Sequence, residues 1–359
     1  MVTREARFSD YNNILSLIKR NDLKHRSEDE WKNLWIKNPV FLEYKTSLGW
    51  VVEKDSNIIG YFGTFPMQYH FNNRSYIAAA SHTLVVDKGY RGITMKLVMN
   101  FFNQQNVDLL LMTTVGHPAV NKLFRVYKAQ EMPDKNYQKS LFLILKFENL
   151  IEFIEEYNPF WKKLPSKIIL QTVKILLYRR INYWRKKSYK KVRMIDSFDD
   201  QFNILWEKYL NQHSEILCFN RSQKSLTWHY GHLIKNKGWV IVHESDGTMD
   251  GYIICIEKKN NGLTKMVVVD LVVVAPFPDK IYESLLLKSA NEASDRGYDI
   301  FELVGFNKEI KRHFSNMKPF TRRFSLCSYL YKTDHENLKI PLSKEEHWNP
   351  SMIDGDASI

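Results

Sequence analysis

Apolar residues in the first 150 positions occur partly at helical spacing and partly in short continuous runs. The helical spacing predicts helices over Tyr11–Asn21 and Glu28–Lys37, near the start of the chain. Runs rich in β-branched and aromatic residues predict strands separated by short polar turns. This order predicts one α/β unit over residues 1–146. Its other elements are strands over Trp50–Glu53, Ile58–Phe65, Gln68–Phe71, Ser75–Val86, Val107–Thr114 and Ser140–Leu145, and helices over Ile93–Gln105 and Ala119–Val126.

The same order of elements returns, more loosely, over residues 194–332. Two repeats of one element order, about 190 residues apart, indicate a tandem duplication. The predicted helices cover Asp199–Tyr209, Ser222–Ile234, Lys280–Arg296 and Lys308–Asn316, and the strands cover Trp239–Glu244, Gly251–Glu257, Leu263–Val274, Ile300–Gly305 and Ser325–Tyr331. We therefore expect an α/β (α+β) protein with two tandem domains, each a mixed central sheet flanked by helices.

The segment between the two units carries the charge excess of the whole chain. The net charge is +12, and the window from Lys162 to Arg193 holds 12 Lys or Arg and no Asp or Glu. Apolar residues recur through it at helical spacing, which predicts a basic amphipathic helix. Three interpretations remain open: a solvated face, a contact with anionic membrane headgroups through residues 162–193, or a surface for tRNA or an acidic acyl-carrier protein.

These patterns divide the chain into four parts. We expect a first domain over residues 1–150, a basic helical linker over 151–193, a second domain over 194–333 and a polar tail over 334–359.

The cysteines and the apolar runs indicate in which cellular compartment the protein is found. Cys218, Cys255 and Cys327 are odd in number, and their spacing fits no zinc site. We expect reduced, mostly buried thiols and no metal, with a catalytic thiol as the alternative. The opening residues lack the apolar core of a signal peptide, and no apolar run reaches about 18 residues. We therefore expect a cytoplasmic protein, with the inner face of the membrane as a possible location through the basic segment.

Residues 83–102 carry the most specific pattern of the chain. A run of strand formers ends at a tight basic turn, Asp87–Gly92, and a helical pattern follows at once. Free backbone N–H groups and the positive end of a helix dipole then meet at one point, which favours an anion. Arg91 adds a guanidinium, and Gly92 permits close approach of the backbone. The turn predicts a phosphate site, although an ordinary strand-to-helix turn has the same features.

The order of strand, basic glycine turn, helix, strand, helix and strand resembles the GNAT N-acyltransferase superfamily. The signature of that family opens the helix that binds the pyrophosphate of acyl-coenzyme A. The residues that match it here are Arg91, Gly92, Ile93, Thr94, Met95 and Lys96. Thr94 and Lys96 stand where the family usually has a glycine and a small residue. The resemblance implies two tandem GNAT-like domains, with acetyl-CoA or another acyl-CoA as the donor held by the first.

Three segments resemble bacterial tandem-GNAT proteins that are encoded with surface-polysaccharide genes. Val115–Ala129 is similar to that family's Gly-x-Pro-Asn loop and the helix after it. Ser225–His232 is similar to a recurrent Leu-Asn-Trp-Arg-Tyr segment, and Trp348 with residues 354–356 is similar to the family's ending. This resemblance implies transfer of the acyl group to an amine or hydroxyl of a small-molecule or lipid-linked sugar used in polysaccharide assembly.

Acyl transfer needs a held donor, a polarised carbonyl, a base and an acid for the leaving thiolate. The resemblance places the donor against the backbone of Leu84, Val85 and Val86. For the base we expect His82 on the same strand, or His117 in the Gly-His-Pro loop; each could instead be a structural histidine. The family's usual acid is a tyrosine, and Phe124 stands at the matching position. Tyr127, three residues on, is the candidate substitute.

The second half lacks a basic glycine turn, so we expect it to shape the acceptor site. Asp270 and Glu302 lie in apolar strands and are either paired structural carboxylates or hidden acids. Two other functions stay open. A Fem-type aminoacyl transferase would take its donor from charged tRNA, and a non-catalytic binding module would keep the fold without the chemistry.

Overall fold

The structure is a computed structural model. It describes residues 1–134, 137–146, 178, 179, 181, 183, 184, 191–260, 262–323, 328–356 and 358.

The first half of the chain begins with a strand and three helices and continues as strands interrupted by two further helices. Its strands are β1 (Val2–Glu5), β2 (Gly49–Lys54), β3 (Asn57–Phe71), β4 (Arg74–Val86), β5 (Leu109–Val115), β6 (Gln130–Glu131) and β7 (Lys139–Ile144). Its helices are α1 (Tyr11–Arg20), α2 (Glu28–Ile36), α3 (Pro39–Tyr44), α4 (Thr94–Phe102) and α5 (Pro118–Val126).

The second half has the same general order. Its strands are β8 (Val192–Ile195), β9 (Cys218–Phe219), β10 (Gly238–Ser245), β11 (Thr248–Asn260), β12 (Leu263–Val273), β13 (Ile300–Val304), β14 (Phe320–Arg323) and β15 (Ser328–Lys332). Its helices are α6 (Gln201–Gln212), α7 (Gln223–Lys237), α8 (Asp279–Asp295), α9 (Lys308–Ser315) and α10 (Glu336–Lys339).

The strands form two mixed sheets that match position by position. The first has the order β1-β2-β3-β4-β5-β15-β6, and β9 also pairs with β3. The second, taken from its β8 edge, has the order β8-β10-β11-β12-β13-β7-β14. In each sheet only the two central neighbours, β4 with β5 and β12 with β13, run parallel among the described strands. The predicted α/β fold with two mixed sheets flanked by helices is confirmed.

Each half gives its last long strand to the sheet of the other half. β7 pairs with β13 and β14 in the second sheet, whereas β15 pairs with β5 and β6 in the first. The predicted unit over residues 1–146 and its repeat over 194–332 do not include this exchange. A pattern of apolar residues indicates that a segment is a strand, but the sheet that it joins depends on packing across the molecule.

The two halves also share one hydrophobic core. Tyr61 and Phe65 of the first sheet and Tyr252 and Ile254 of the second belong to the same buried cluster. Ile353 of the expected polar tail is fully buried in that cluster. Four apolar residues of the tail are therefore anchored in the shared core: Leu338, Leu342, Trp348 and Ile353. The domain limits at residues 150, 193 and 333 stay a prediction.

Most of the basic segment 151–193 lies outside the described residues. Of its apolar stripe and aromatic residues, Ile181 and Trp184 are buried in the cluster beneath α8, while Tyr178 and Tyr183 are exposed. The expected linker helix and its partners therefore stay predictions. Within the described residues, no helix combines the length and the hydrophobicity that crossing a bilayer requires.

Candidate active site

The candidate site lies where the two parallel strands of the first sheet separate. In the described structure, β4 and β5 pair only from Ala78 with Leu109 to Ala80 with Leu111. Beyond this point each strand keeps only its partner on the other edge, which is β15 for β5 and β3 for β4. The open side of β4 therefore presents backbone N–H and C=O groups that an extended ligand can bind.

A β-bulge at Thr83 turns β4 at this opening. Phe62 of β3 pairs with Leu84 and Gly63 pairs with His82, so Thr83 has no partner opposite it. Its φ of 48° lies in the left-handed region, which a β-branched residue rarely adopts. Such a conformation costs on the order of 1–3 kcal/mol and persists where the surroundings impose it. The bulge bends β4 away from β5.

The separated strands enclose a cleft of about 150 Å³. Residues 81–84 of β4 form one wall, and residues 114–117 after β5 form the other. Phe124 of α5 and Asp356 of the C-terminal tail complete the lining. Of the predicted catalytic residues, the cleft brings His82 and His117 together and leaves out Tyr127.

β4 leads from this cleft into a basic turn. A 3₁₀ segment, Lys88–Ile93, connects β4 to α4. Arg91, Gly92 and Lys96 are exposed, and a Cβ added to Gly92 would meet no atom within 4 Å. Neither Arg91 nor Lys96 makes an ion pair with a described residue. The start of α4 is therefore open to solvent and flanked by two cations, as an anion site requires.

The one carboxylate of this turn is already paired. Asp87 accepts hydrogen bonds from Arg20 and Asn21, and the Arg20 guanidinium lies 2.7 Å from its Oδ2. The hydrogen bond from Arg20 lowers the pKa of Asp87. Asp87 therefore stays ionised and held by α1, and its charge is largely compensated.

The other residues predicted to hold the donor differ in whether their side chains or only their backbone groups are accessible to a ligand. Val85 is buried in the shared core, so only its backbone can contact a ligand. Leu84 and Val86 are half-buried, and Leu84 lines the cleft. Ile93 packs beside Gly60, with Thr94 half-buried and Met95 exposed. The strand can thus contribute backbone groups, and the turn charged side chains.

His82 is a buried histidine surrounded by aromatic rings. Only 3% of it is exposed, and its ring lies 5.7–5.9 Å from those of Trp35, Tyr61 and Phe65. Burial keeps its pKa well below the usual value, and the charge of Arg26 lowers it further. The imidazole is therefore neutral at physiological pH and a weak base. Its surroundings favour the structural alternative, while its place in the cleft keeps a positioning role open.

His117 is the N-cap of α5. Its Nδ1 accepts a hydrogen bond of 3.2 Å from the backbone N–H of Ala119. A neutral ring whose Nδ1 accepts must carry its proton on Nε2. In this state His117 can donate a hydrogen bond into the cleft but cannot accept a proton at Nε2. The geometry thus suits polarisation of a carbonyl better than general-base catalysis.

Tyr127 lies at the other end of α5. Its ring stacks on Phe102 at 4.9 Å, and its hydroxyl lies 3.5 Å from the carbonyl oxygen of Met95. Phe124, one turn earlier, lines the cleft. The substitution of Tyr127 for that acid stays a prediction, and the structure places its hydroxyl near α4 instead.

Sequence reasoning missed one functional candidate, Asp356. Its Oδ1 accepts hydrogen bonds from Thr114 at 2.8 Å and Thr113 at 3.1 Å, both at the end of β5. Burial raises its pKa above the ordinary aspartate value. Asp356 is thus a carboxylate at the mouth of the cleft with increased basicity. The Asp-Gly-Asp ending carries no local signal of this role, because nothing in the sequence places the tail at the first sheet.

Gly355 permits this approach of the tail. Its φ is 63°, and an added Cβ would lie 2.4 Å from Oγ1 of Thr113. Any other residue here would meet both an unfavourable backbone conformation and a buried side chain.

The corresponding opening of the second sheet is filled. β12 and β13 pair as far as Val268 with Leu303, and Asp270 follows on β12. Arg221 lies 3.0 Å from Asp270, and the Tyr252 hydroxyl donates to it at 2.6 Å. Asp270 and Arg221 are almost completely buried. Glu302 is likewise buried and paired with Arg322 and Ser140, so both carboxylates have structural partners.

Metal chemistry has no obvious ligands in the described structure. No group of three or more His, Cys, Asp or Glu among the described residues is arranged to hold a metal ion. Cys218 and Cys255 are free and buried, and burial raises the pKa of Cys218 to about 11. Cys327 lies outside the described residues.

Comparison with known proteins identifies the fold. No protein-family model matches the sequence, and no curated protein matches it significantly. A probable N-acyltransferase from Enterococcus faecalis superposes with a TM-score of 0.57 at 12% identity, over 93% of this chain and 72% of that one. A GCN5-related N-acetyltransferase from Anabaena variabilis gives 0.54 at 9% identity, over 92% and 72%.

A third similar structure contains a bound acyl donor. Saccharomyces cerevisiae N-myristoyltransferase with myristoyl-CoA superposes with a TM-score of 0.56 at 12% identity, over 92% of this chain and 78% of that one. The three matches extend over nearly the whole chain. The chain therefore has the fold of the GNAT N-acyltransferases, from its first strand through its second sheet.

Proposed function

We propose that the protein is an acyltransferase that moves an acyl group from acyl-CoA to an amine or hydroxyl acceptor. The observation that carries this proposal is the cleft itself: parted parallel strands, a bulge at Thr83, and an open basic turn leading into α4. This arrangement fits a thioester donor that lies along β4 with its phosphates at the start of α4. The fold and the similar structures support the reaction class.

The residues of the cleft suggest how the reaction proceeds. Asp356 accepts the proton that the acceptor nitrogen or oxygen loses as it attacks the thioester carbonyl. The N–H groups on the open side of β4, with Nε2–H of His117, donate to the oxygen on which negative charge develops. The carbon–sulfur bond then breaks, and the proton held by Asp356 returns through solvent to the thiolate. His82 keeps the bulge in place through its contact with Thr83.

The acceptor is proposed from the sequence likenesses. The three segments that resemble polysaccharide-associated proteins favour a sugar. Trp228 of the second segment does not add to this support, because it is buried in the shared core. A location at the inner face of the membrane would depend on residues 162–193, most of which lie outside the described residues. The proposed acceptor is therefore a sugar.

The proposed donor site can be tested with a matched pair of variants, one at the turn and one control. Arg91→Ala removes a charge from the open turn and should weaken binding of acetyl-CoA by about ten-fold, the loss of one charge-assisted contact. Arg74→Ala, an exposed arginine at the β3–β4 hairpin, is the control and should bind normally. Isothermal titration measures both. Absence of any heat with acetyl-CoA would favour a binding module, and stabilisation by charged tRNA alone would favour the Fem-type donor.

The base can be tested separately. Asp356→Asn keeps the hydrogen bonds from Thr113 and Thr114 possible but cannot accept a proton. We expect release of free CoA in the presence of a panel of amine acceptors to fall about 100-fold or more, with acetyl-CoA binding unchanged. Asp55→Asn, an exposed aspartate in the β2–β3 turn, serves as the control. Full turnover by Asp356→Asn would return the role to His82 or His117.

A further inference from the structure

The basic turn before α4 is joined to α1 through a single carboxylate. Asp87, which follows β4 and precedes the 3₁₀ segment, accepts three hydrogen bonds from the end of α1. Its Oδ1 accepts from Nε of Arg20 and Nδ2 of Asn21, each at 2.9 Å, and its Oδ2 accepts from Nη2 of Arg20 at 2.7 Å. Arg20 thus binds both oxygens with its planar fork, which fixes the direction of the contact as well as its distance.

Asp87 is also fixed through its backbone. Its N–H donates to the carbonyl oxygen of Ile59 at 3.0 Å, and its own carbonyl oxygen accepts from the N–H of Tyr90 at 2.8 Å, within the turn. Arg20 meanwhile donates to the carbonyl oxygen of Ile58, which precedes Ile59 on β3. The first residue of the turn is therefore held by α1 and β3 at once, and its position determines where the turn begins.

Asp87 is the only acidic residue in the segment that leads from β4 into α4. Residues 87–96 contain Lys88, Arg91 and Lys96 and no other Asp or Glu. Arg91 follows Asp87 by four residues, which is about 8 Å at the 3₁₀ rise of about 2 Å per residue. This separation is within about one Debye length at physiological ionic strength. An uncompensated carboxylate at Asp87 would therefore repel phosphates at the start of α4.

The ion pair of Arg20 and Asp87 lies at the surface. The side chain of Arg20 is 41% exposed and that of Asp87 is 20% exposed. Exposed ion pairs contribute little to the free energy of unfolding, because water solvates both charges and the pairing restricts two flexible side chains. The same pair matters more to an anionic ligand, because that ligand meets either a neutralised pair or a bare carboxylate beside its site.

We propose that Arg20 is a positioning residue of the donor site: it holds Asp87 and cancels its charge, so that the turn before α4 can receive the diphosphate of the donor. This role of Arg20 rests on the proposed acyl-CoA site at α4. Arg20 lies on α1, outside the segments 84–86 and 91–96 from which the sequence predicts that site.

Calorimetric titration of acetyl-CoA and of inorganic pyrophosphate into the full-length protein tests this role. Arg20→Gln leaves the Asp87 carboxylate without its cation and should weaken the binding of both probes about ten-fold. Adding Asp87→Asn removes the exposed charge and should recover most of the lost affinity, whereas a pair that only supports the fold would show no such recovery. Arg20→Lys keeps the cation without the fork and should lose less affinity than Arg20→Gln.

Arg193 offers a matched control in the second sheet. Its Nε and Nη2 donate to the two oxygens of Glu244, at 2.9 and 2.6 Å, and the two side chains are 50% and 23% exposed. Arg193→Gln therefore removes the same kind of exposed ion pair, on β8 at the edge of the second sheet. We expect it to bind both probes as the wild type does. Urea unfolding of each variant checks that the compared proteins are folded.

The outcomes separate the role of Arg20 from the proposed function. If acetyl-CoA binds equally to the wild type, Arg20→Gln and Arg193→Gln, the acyl-CoA site stands and the role of Arg20 is refuted. A loss in Arg20→Gln that Asp87→Asn does not recover would also refute it, since the charge of Asp87 would then be immaterial. If only pyrophosphate binds and its affinity depends on Arg20, the acyl-CoA donor is excluded and Arg20 keeps its role at a diphosphate site. Binding of neither probe would remove both proposals.

Discussion

Gly355→Ala tests whether the tail must pass close to the end of β5 for the protein to fold and work. The substitution has two separate costs. At a φ of 63° the added Cβ meets the backbone strain of the left-handed region, about 1–2 kcal/mol. The Cβ would also lie 2.4 Å from Oγ1 and 2.6 Å from Cγ2 of Thr113. Crowding of this kind typically costs about 1–3 kcal/mol.

Rotation of Thr113 can relieve the crowding only in part. Its side chain is buried, and both branches at its Cβ lie near the added methyl group, so turning χ1 removes one close contact and leaves the other. The two costs together predict a loss of about 2–5 kcal/mol in the free energy of unfolding. Urea unfolding followed by tryptophan fluorescence measures it. Since Asp356 is the next residue, turnover should fall as well.

Gly247→Ala is the control that isolates the backbone cost. Gly247 has a φ of 77°, and no atom lies within 4 Å of an added Cβ. We expect this variant to lose about 1–2 kcal/mol only. Thr113→Ala should partly rescue Gly355→Ala, because its remaining Cβ lies 3.1 Å away, at the cost of one hydrogen bond to Asp356, about 1 kcal/mol. Equal losses for Gly355→Ala and Gly247→Ala, or strictly additive effects with Thr113→Ala, would refute the reasoning.

Two further predictions concern buried charges between the halves. Arg221→Met leaves the buried Asp270 without its cation and should lower the free energy of unfolding by about 3–5 kcal/mol, whereas adding Asp270→Leu should recover most of it in the same urea assay. Burial raises the pKa of Asp354 to about 6, from an ordinary value of 3.8. The folded state therefore favours the protonated acid, whose contribution is complete below pH 3.8 and is lost as the pH rises through 6. Relative to Asp354→Asn, the wild type should lose about 2 kcal/mol between pH 4 and pH 7; parallel stability curves for the two proteins would contradict this.

Local sequence was sufficient for most of the elements and for the turn between β4 and α4. The two-residue turns at Asp55–Ser56 and Asn72–Asn73 have positive φ at both positions, as short hairpins require, and the flanking strands follow the predicted pattern. The strand, basic turn and helix of residues 83–102 also occur as predicted. Such features depend on contacts between neighbours in the chain, so the sequence contains them directly.

The catalytic candidates show the limit of that reasoning. An ordinary imidazole titrates near neutral pH, which makes His82 a candidate base in the sequence, but the environment of His82 is set by Trp35 of α2 and by Tyr61 and Phe65 of β3. Asp356 accepts a hydrogen bond from the hydroxyl of Thr114, which lies 242 residues earlier in the chain. No local pattern indicates a contact of that range.

The sequence by itself thus determined the elements, their order in two repeats and the basic turn before α4, because periodicity and turn chemistry act over a few residues. Only the tertiary structure decided that β7 and β15 exchange sheets, that the tail carries Asp356 into the first cleft and that Arg221 with Asp270 fills the second. These outcomes depend on which surfaces pack together and which charges are buried, and such choices are made across the whole chain.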